Sequence, residues 1–141
     1  MKPKKLIAIV LIKNRSVLAE VRKANDDFGA GAIWIPGGHV EEGETEEQAF
    51  IREADEEMRI KPVEYSLLCI LPWEKDGKNY TIYYYLCTKW KGKIKNKEAS
   101  KLIWIKENEA SKLDADTKTG KLDEDVDRTA FKRALEKIDE K

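Results

Sequence analysis

Apolar residues fall in short runs separated by polar, turn-forming text, which over most of the chain points to strands rather than long helices. Residues 5–12 and 17–21 read as two strands joined by a turn over 13–16, a hairpin. A polar, glycine-bearing stretch over 22–31 reads as a surface loop. Residues 32–35 form a short strand, broken by Pro36, Gly37 and Gly38. Residues 63–71 and 80–90 are further strands, joined by a turn around Asp76-Gly77, a pair suited to tight hairpins. The second of these is rich in β-branched and aromatic residues. A polar loop over 92–100 then leads to a strand at 101–105, one helical turn at 108–110 and a loop at 115–120.

The apolar spacing becomes helical twice. Phe50, Ile51, Ala54 and Met58 form one stripe. Val126, Ala130, Phe131, Ala134, Leu135 and Ile138 form another, on a helix running from about Asp123 to the end with Asp123 or a neighbour as its cap. Strands on both sides of a central helix, with a second helix at the end, predict an α/β fold in which a mixed sheet lies between helices.

The central helix carries more than a packing stripe. Thr45 followed by Gln48 three residues later is a capping box, and Glu46 and Glu47 sit in the first turn, where the helix dipole favours anions. Glu53, Glu56 and Glu57 stand at i, i+3 and i+4, so all three project from one face. Like charges at that spacing repel by about 0.2–0.5 kcal/mol per pair. A hard divalent cation removes the penalty, because Mg²⁺ takes carboxylate oxygens together with substrate phosphates. The residue types therefore point to a metal–phosphate site.

The order Gly38, five residues, Glu44, seven residues, then Arg52-Glu53-Ala54-Asp55-Glu56-Glu57-Met58-Arg59-Ile60 resembles the Nudix box, GX5EX7REUXEEXGU with U a bulky aliphatic residue. Two positions depart from it. Ala54 is small for U, and Arg59 replaces the glycine that ends the helix. An arginine there either adopts the left-handed cap, at a cost of roughly 1 kcal/mol, or lets the helix run on towards Pro62. The resemblance spans nearly the whole chain and implies one Nudix-type α/β/α sandwich domain over residues 1–141. It further implies Mg²⁺, with Mn²⁺ as a substitute, held by Glu53, Glu56, Glu57 and the Gly37 carbonyl. Arg52, pointing away from that face, would pair with Glu44 in a structural role. Glu98, in the loop before the strand that contains Trp104, is a further candidate metal ligand or general base, and Glu53 is the other candidate base.

Candidate substrate contacts are less sharply marked. Arg22 and Lys23 are placed to meet phosphates, and Phe28 and Trp34 precede the box in a segment similar to that of oxidised-nucleotide hydrolases of the family. His39 follows the paired glycines, and Tyr83, Tyr84 and Tyr85 alternate across the sheet, so Tyr83 and its neighbours cannot all line one cleft. Asp114 and Asp116 are candidates to meet a nucleobase. The resemblance implies a hydrolase of a nucleoside diphosphate linked to another group. The leading expectation is a MutT-like cleavage of a nucleoside triphosphate to monophosphate plus pyrophosphate, with an oxidised purine such as 8-oxo-dGTP as substrate. ADP-ribose or a dinucleoside polyphosphate is the alternative substrate. A nucleotide-binding module without turnover is the alternative class.

Composition changes this picture little. Of 141 residues, 38% are charged, yet the net charge is zero, so no broad basic face for a nucleic-acid polymer is expected. The apolar run over 6–12 is too short to span a bilayer, and the chain is expected to be cytoplasmic, without a membrane partner, as a monomer or homodimer. Cys69 and Cys87 lie in apolar runs and are expected to be buried thiols rather than a disulfide.

Overall fold

Strand β1 (Lys4–Lys13) runs through the middle of the molecule and divides its core in two. Leu6, Ala8, Val10 and Ile12 enter one apolar cluster, and Ile7, Ile9 and Leu11 enter the other. This is the period-2 consequence of the pleat on a strand buried on both faces, which is why the run reads as continuously apolar. The computed structural model describes residues 2–23, 31–97, 99, 101–116 and 125–140. In chain order β1 is followed by β2 (Ser16–Val21), β3 (Ala32–Trp34), β4 (Gly37–His39), α1 (Glu46–Met58), β5 (Lys61–Lys75) and β6 (Lys78–Lys91). Then come β7 (Lys101–Lys106), a 3₁₀ turn (Glu107–Lys112), β8 (Ala115–Asp116) and α2 (Val126–Asp139).

The sheet is mixed. β1 pairs parallel with β6, from Lys4 opposite Tyr80 to Leu11 opposite Cys87, while β5 pairs antiparallel with β6. On its other edge β1 is shared. Its first half pairs with β4, and its last residues pair with β2. From there the order continues through β3 to β8, with β7 also on β2. Between the two pairings, the Ile9 amide donates to the Pro36 carbonyl at 2.7 Å. Helix α1 packs Ala49, Phe50, Ala54 and Met58 on the Ile7–Ile9–Leu11 side, and α2 packs Ala130, Phe131, Ala134 and Leu135 on the other. The fold is an α/β/α sandwich.

Several boundaries differ from the sequence reading. Gly37–His39 is a strand rather than only a break, because Gly37 and Gly38 can lie flush against β1; a Cβ on Gly37 would collide with the Ile7 carbonyl oxygen. Strands β5 and β6 run further than 63–71 and 80–90, up to their shared Asp76-Gly77 turn. Ala115 and Asp116 pair with β3 instead of lying in a loop. Ile51 leaves the apolar stripe and is 42% exposed; Ala49 takes its place. Asp123 lies outside the described residues, and Asp125 occupies the cap position without a side-chain bond. Arg59 adopts the left-handed cap, with φ 58°. Cys69 and Cys87 are both buried and free. Among the described residues no helix is long and apolar enough to cross a membrane.

Candidate functional site

A cleft of about 500 Å³ opens beside β1, β4 and the start of α2. Its two ends differ in chemistry. One end is made by the paired glycines and α1, the other by β2, β3, β5 and β6.

At the first end the box loop is locked to the helix through Arg52. Its guanidinium grips Glu44 in a fork, Nε to Oε2 at 2.7 Å and Nη2 to Oε1 at 3.0 Å. Nη2 also donates to the His39 carbonyl at 2.9 Å. Such a planar fork is the geometry at which arginine excels. The bonds from Arg52, together with the backbone at Glu41, hold the Glu44 carboxyl down at about 2. Thr45 and Gln48 form the reciprocal capping box that starts the helix beside this loop. Arg52 does not turn away from the carboxylate face, as the sequence suggested. The same guanidinium reaches Glu53 at 2.8 Å and Glu56 at 3.1 Å through Nη1. One cation thus serves both the loop and the acidic face, because the residue before Glu53 lies close enough for a long side chain to curl across.

Glu53 is buried, and desolvation raises its carboxyl above the usual range against the opposing pull of Arg52. A hydrogen bond joins it to Glu57. Gly38 is glycine for a visible reason, since a Cβ there would run into the Glu53 carboxyl. Glu53, Glu57, Gly37 and Gly38 all line the cleft. The Glu56 side chain is 55% exposed and stays on Arg52. Among the described residues no three acidic, histidine or cysteine side chains converge as a ready-made cage. His39 also lines the cleft, and burial, then the Lys4 charge, lowers its pKa.

The second end is aromatic. The Trp34 indole packs edge-on against Trp73 (centroids 5.8 Å apart), and Trp73 in turn meets Tyr80 at 5.4 Å. Trp34 is fixed by its Nε1–H, which donates to Glu20 Oε1 at 2.7 Å, and by the Arg22 guanidinium 5.7 Å from the ring. Arg22 itself reaches Glu20 at 3.2 Å, which lets a carboxylate only 2% exposed stay within the fold. Lys4 and Lys78 add positive charge to the lining.

Of the residues singled out from the sequence, the cleft gathers Arg22, Trp34, Gly37, His39, Glu53, Glu57 and Asp114. Lys23 is exposed and does not line it. Tyr83 is excluded by register, because it lies on the α1 side with Lys5 5.9 Å from its ring. Tyr84, one residue on, points to the opposite side and is buried. Phe28 and Glu98 lie outside the described residues, and of Asp116 only the backbone pairing is described. Asp114 does more than line the cleft. Its carboxylate accepts the amides of Asp127 at 3.2 Å and Arg128 at 3.1 Å, capping α2 from another segment. The sequence reading missed Glu20, Trp73, Tyr80 and Asp127. Asp127 left a trace there, for it sits three and four residues before Ala130 and Phe131, on the apolar stripe where a carboxylate is out of place.

The chain matches the NUDIX domain family model over residues 3–126. It is 36% identical over 100 residues to the 8-oxo-dGTP diphosphatase of Escherichia coli K12, covering 70% of this chain and 78% of that protein. Among solved structures, a MutT protein from Methanosarcina mazei Go1 superposes with a TM-score of 0.78 at 19% identity, covering 99% of this chain and 98% of the other. A MutT NUDIX hydrolase from Burkholderia pseudomallei gives a TM-score of 0.75 at 22% identity, covering 94% and 98%. At those identities the two structures speak to the fold alone.

Proposed function

Since the chain belongs to the NUDIX family as a MutT-like member, we propose that it is a Mg²⁺-dependent nucleoside triphosphate pyrophosphohydrolase whose substrate is an oxidised purine nucleotide such as 8-oxo-dGTP. The observation that carries this reading is the two-ended cleft. The buried Glu53, the half-buried Glu57 and close-lying glycine backbone form one end, an aromatic wall the other, and Arg22, Lys4 and Lys78 join the lining. A volume of about 500 Å³ lies within the usual range for a small-ligand site. The fit is to a nucleotide with its phosphates at the carboxylate end and its base against Trp34 and Trp73. Four curated relatives matched by the chain carry the activity name 8-oxo-dGTP diphosphatase, which supports the oxidised purine over other nucleotides.

The donor set suits a hard cation. The Glu53 and Glu57 carboxyls lie within hydrogen-bonding reach of each other; once both are ionised neither can donate, and a divalent cation would relieve their repulsion. Glu53, Glu57, the Gly37 carbonyl and Glu56, once released from Arg52, would hold Mg²⁺ or Mn²⁺. The bound ion would neutralise phosphate charge and acidify water. The remaining work falls to the chain. Lys4, near enough to His39 to act on its charge, meets phosphate oxygens, while Arg22 stays on Glu20 and Trp34. Trp34, locked by Glu20, fixes the base. Glu53, buried beside the paired glycines, accepts the proton of the attacking water as the phosphoanhydride bond breaks and pyrophosphate leaves.

The test is kcat/KM over a panel of unmodified dNTPs, 8-oxo-dGTP, ADP-ribose and diadenosine tetraphosphate in Mg²⁺. A preference for 8-oxo-dGTP is expected. ADP-ribose or the dinucleotide preferred by orders of magnitude would overturn the substrate assignment.

A further inference from the structure

Asp127 stands at the cleft, yet its oxygens are turned onto the protein. Oδ1 accepts the Tyr84 hydroxyl at 2.6 Å, and Oδ2 accepts the Ile35 amide at 2.7 Å. The carboxylate is almost wholly buried, and its own amide is held by Asp114, which in turn donates its amide to the Ile33 carbonyl at 3.0 Å. Ile35 lies two residues before Gly37, and the segment between has a second anchor, Pro36, whose carbonyl takes the Ile9 amide. Gly37 then lies against the Ile7 carbonyl, and Gly38 against the Glu53 carboxyl, each too close for a side chain. A buried amide left without a partner is costly, so the Asp127–Ile35 bond sets where this backbone rests.

We propose that Asp127 is a positioning residue: through Ile35 it fixes the Pro36–Gly37–Gly38 backbone against Glu53, and so couples the C-terminal helix to the cation end of the cleft. The inference rests on the proposed metal role of Gly37 and Glu53. It assigns no contact between Asp127 and the nucleotide. Outer partners of metal sites typically alter affinity by about 10–100-fold when removed, and loss of this tether belongs at the lower end because it acts through two residues of backbone.

The test uses Asp127→Val, Asp127→Asn and Tyr84→Phe, with two readouts that need no turnover. These are the ¹⁵N–¹H shifts of the Ile35, Gly37 and Gly38 amides in the metal-free protein, and Mn²⁺ affinity by EPR. Asp127→Val should move all three amides and weaken Mn²⁺ binding about tenfold. Asp127→Asn keeps a carbonyl for Ile35 while Tyr84 turns to accept its NH₂, so it should restore both readouts. Tyr84→Phe should lower stability while leaving the amides and Mn²⁺ affinity within twofold of wild type. Should Asp127→Val fail to fold, Asp127→Ser, too short to reach Ile35, takes its place. Unmoved amides in the Val or Ser variant overturn the proposal. So does a Tyr84→Phe variant that weakens Mn²⁺ equally, since that would be general loosening. Changed discrimination among bases with Mn²⁺ affinity intact would overturn it too, making Asp127 a base-reading residue. If the wild type binds no Mn²⁺, the metal assignment fails, while the amide shifts still judge the tether.

Discussion

Glu53 has its carboxyl beside Gly38 on one side and bonded to Arg52 and Glu57 on the other. Burial raises its proton affinity against the pull of those two bonds, and the close fit at Gly38 limits what can replace it. Glu53→Gln keeps the shape but cannot take a proton, so kcat should fall by about 10²–10⁴-fold with a smaller change in KM, read by steady-state kinetics. Arg52→Ala removes the Glu44 fork and strands partly buried carboxylates. It should cost about 1–3 kcal/mol in urea unfolding. Asp127 gives a pH signature. Its carboxyl is raised from 3.8 to about 7 by burial, with the Asp114 and Glu20 charges adding to the effect and the bonds from Tyr84 and Ile35 opposing it. The native state therefore keeps a proton that the unfolded chain has released. Stability from this group is full below about pH 4 and is lost as pH rises to about 7. Melting temperatures of Asp127→Asn against wild type should show that slope flattened over the same window. A slope that persists in the variant would assign it to another group.

Among elements, α1 shows best how local rules and the site agree. Its capping box, acidic first turn and carboxylate face are all written in the sequence, and the structure shows the box with both reciprocal bonds. The reach of Arg52 back over Glu53 and Glu56 was not legible, because helical spacing says which face a Cβ leaves from and not where a long flexible side chain ends. Strand ends were equally obscure. The pairing of β5 and β6 runs on to their turn because paired strands extend as far as their partner does, a tertiary fact that propensity does not carry. Tyr83 and Tyr84 could be set on opposite faces by period alone, but which face held the cleft depended on α2. At Arg59 the departure from glycine has a local cost. Its φ of 58° is left-handed, so Arg59→Gly should stabilise the protein by up to about 1 kcal/mol in urea unfolding, with turnover unchanged.

At the scale of the molecule, the fold serves to bring two chemistries to one cleft. The carboxylate end comes from a contiguous stretch, residues 37–57, and was therefore legible as a motif. The aromatic end is assembled from β2, β3, β5 and β6, with Glu20, Trp34, Trp73 and Tyr80 drawn from distant parts of the chain. Only Trp34 of these four could be suspected, since nothing local distinguishes a strand tryptophan that walls a cleft from one that fills a core. The most direct measurement is product identity when 8-oxo-dGTP is incubated with Mg²⁺, wild type beside Glu57→Gln. Monophosphate and pyrophosphate formed by the wild type, lost with EDTA and reduced at least about 100-fold in the variant, is the expected result. Undiminished turnover in Glu57→Gln, or turnover indifferent to EDTA, would contradict a catalytic centre built on the carboxylates of α1.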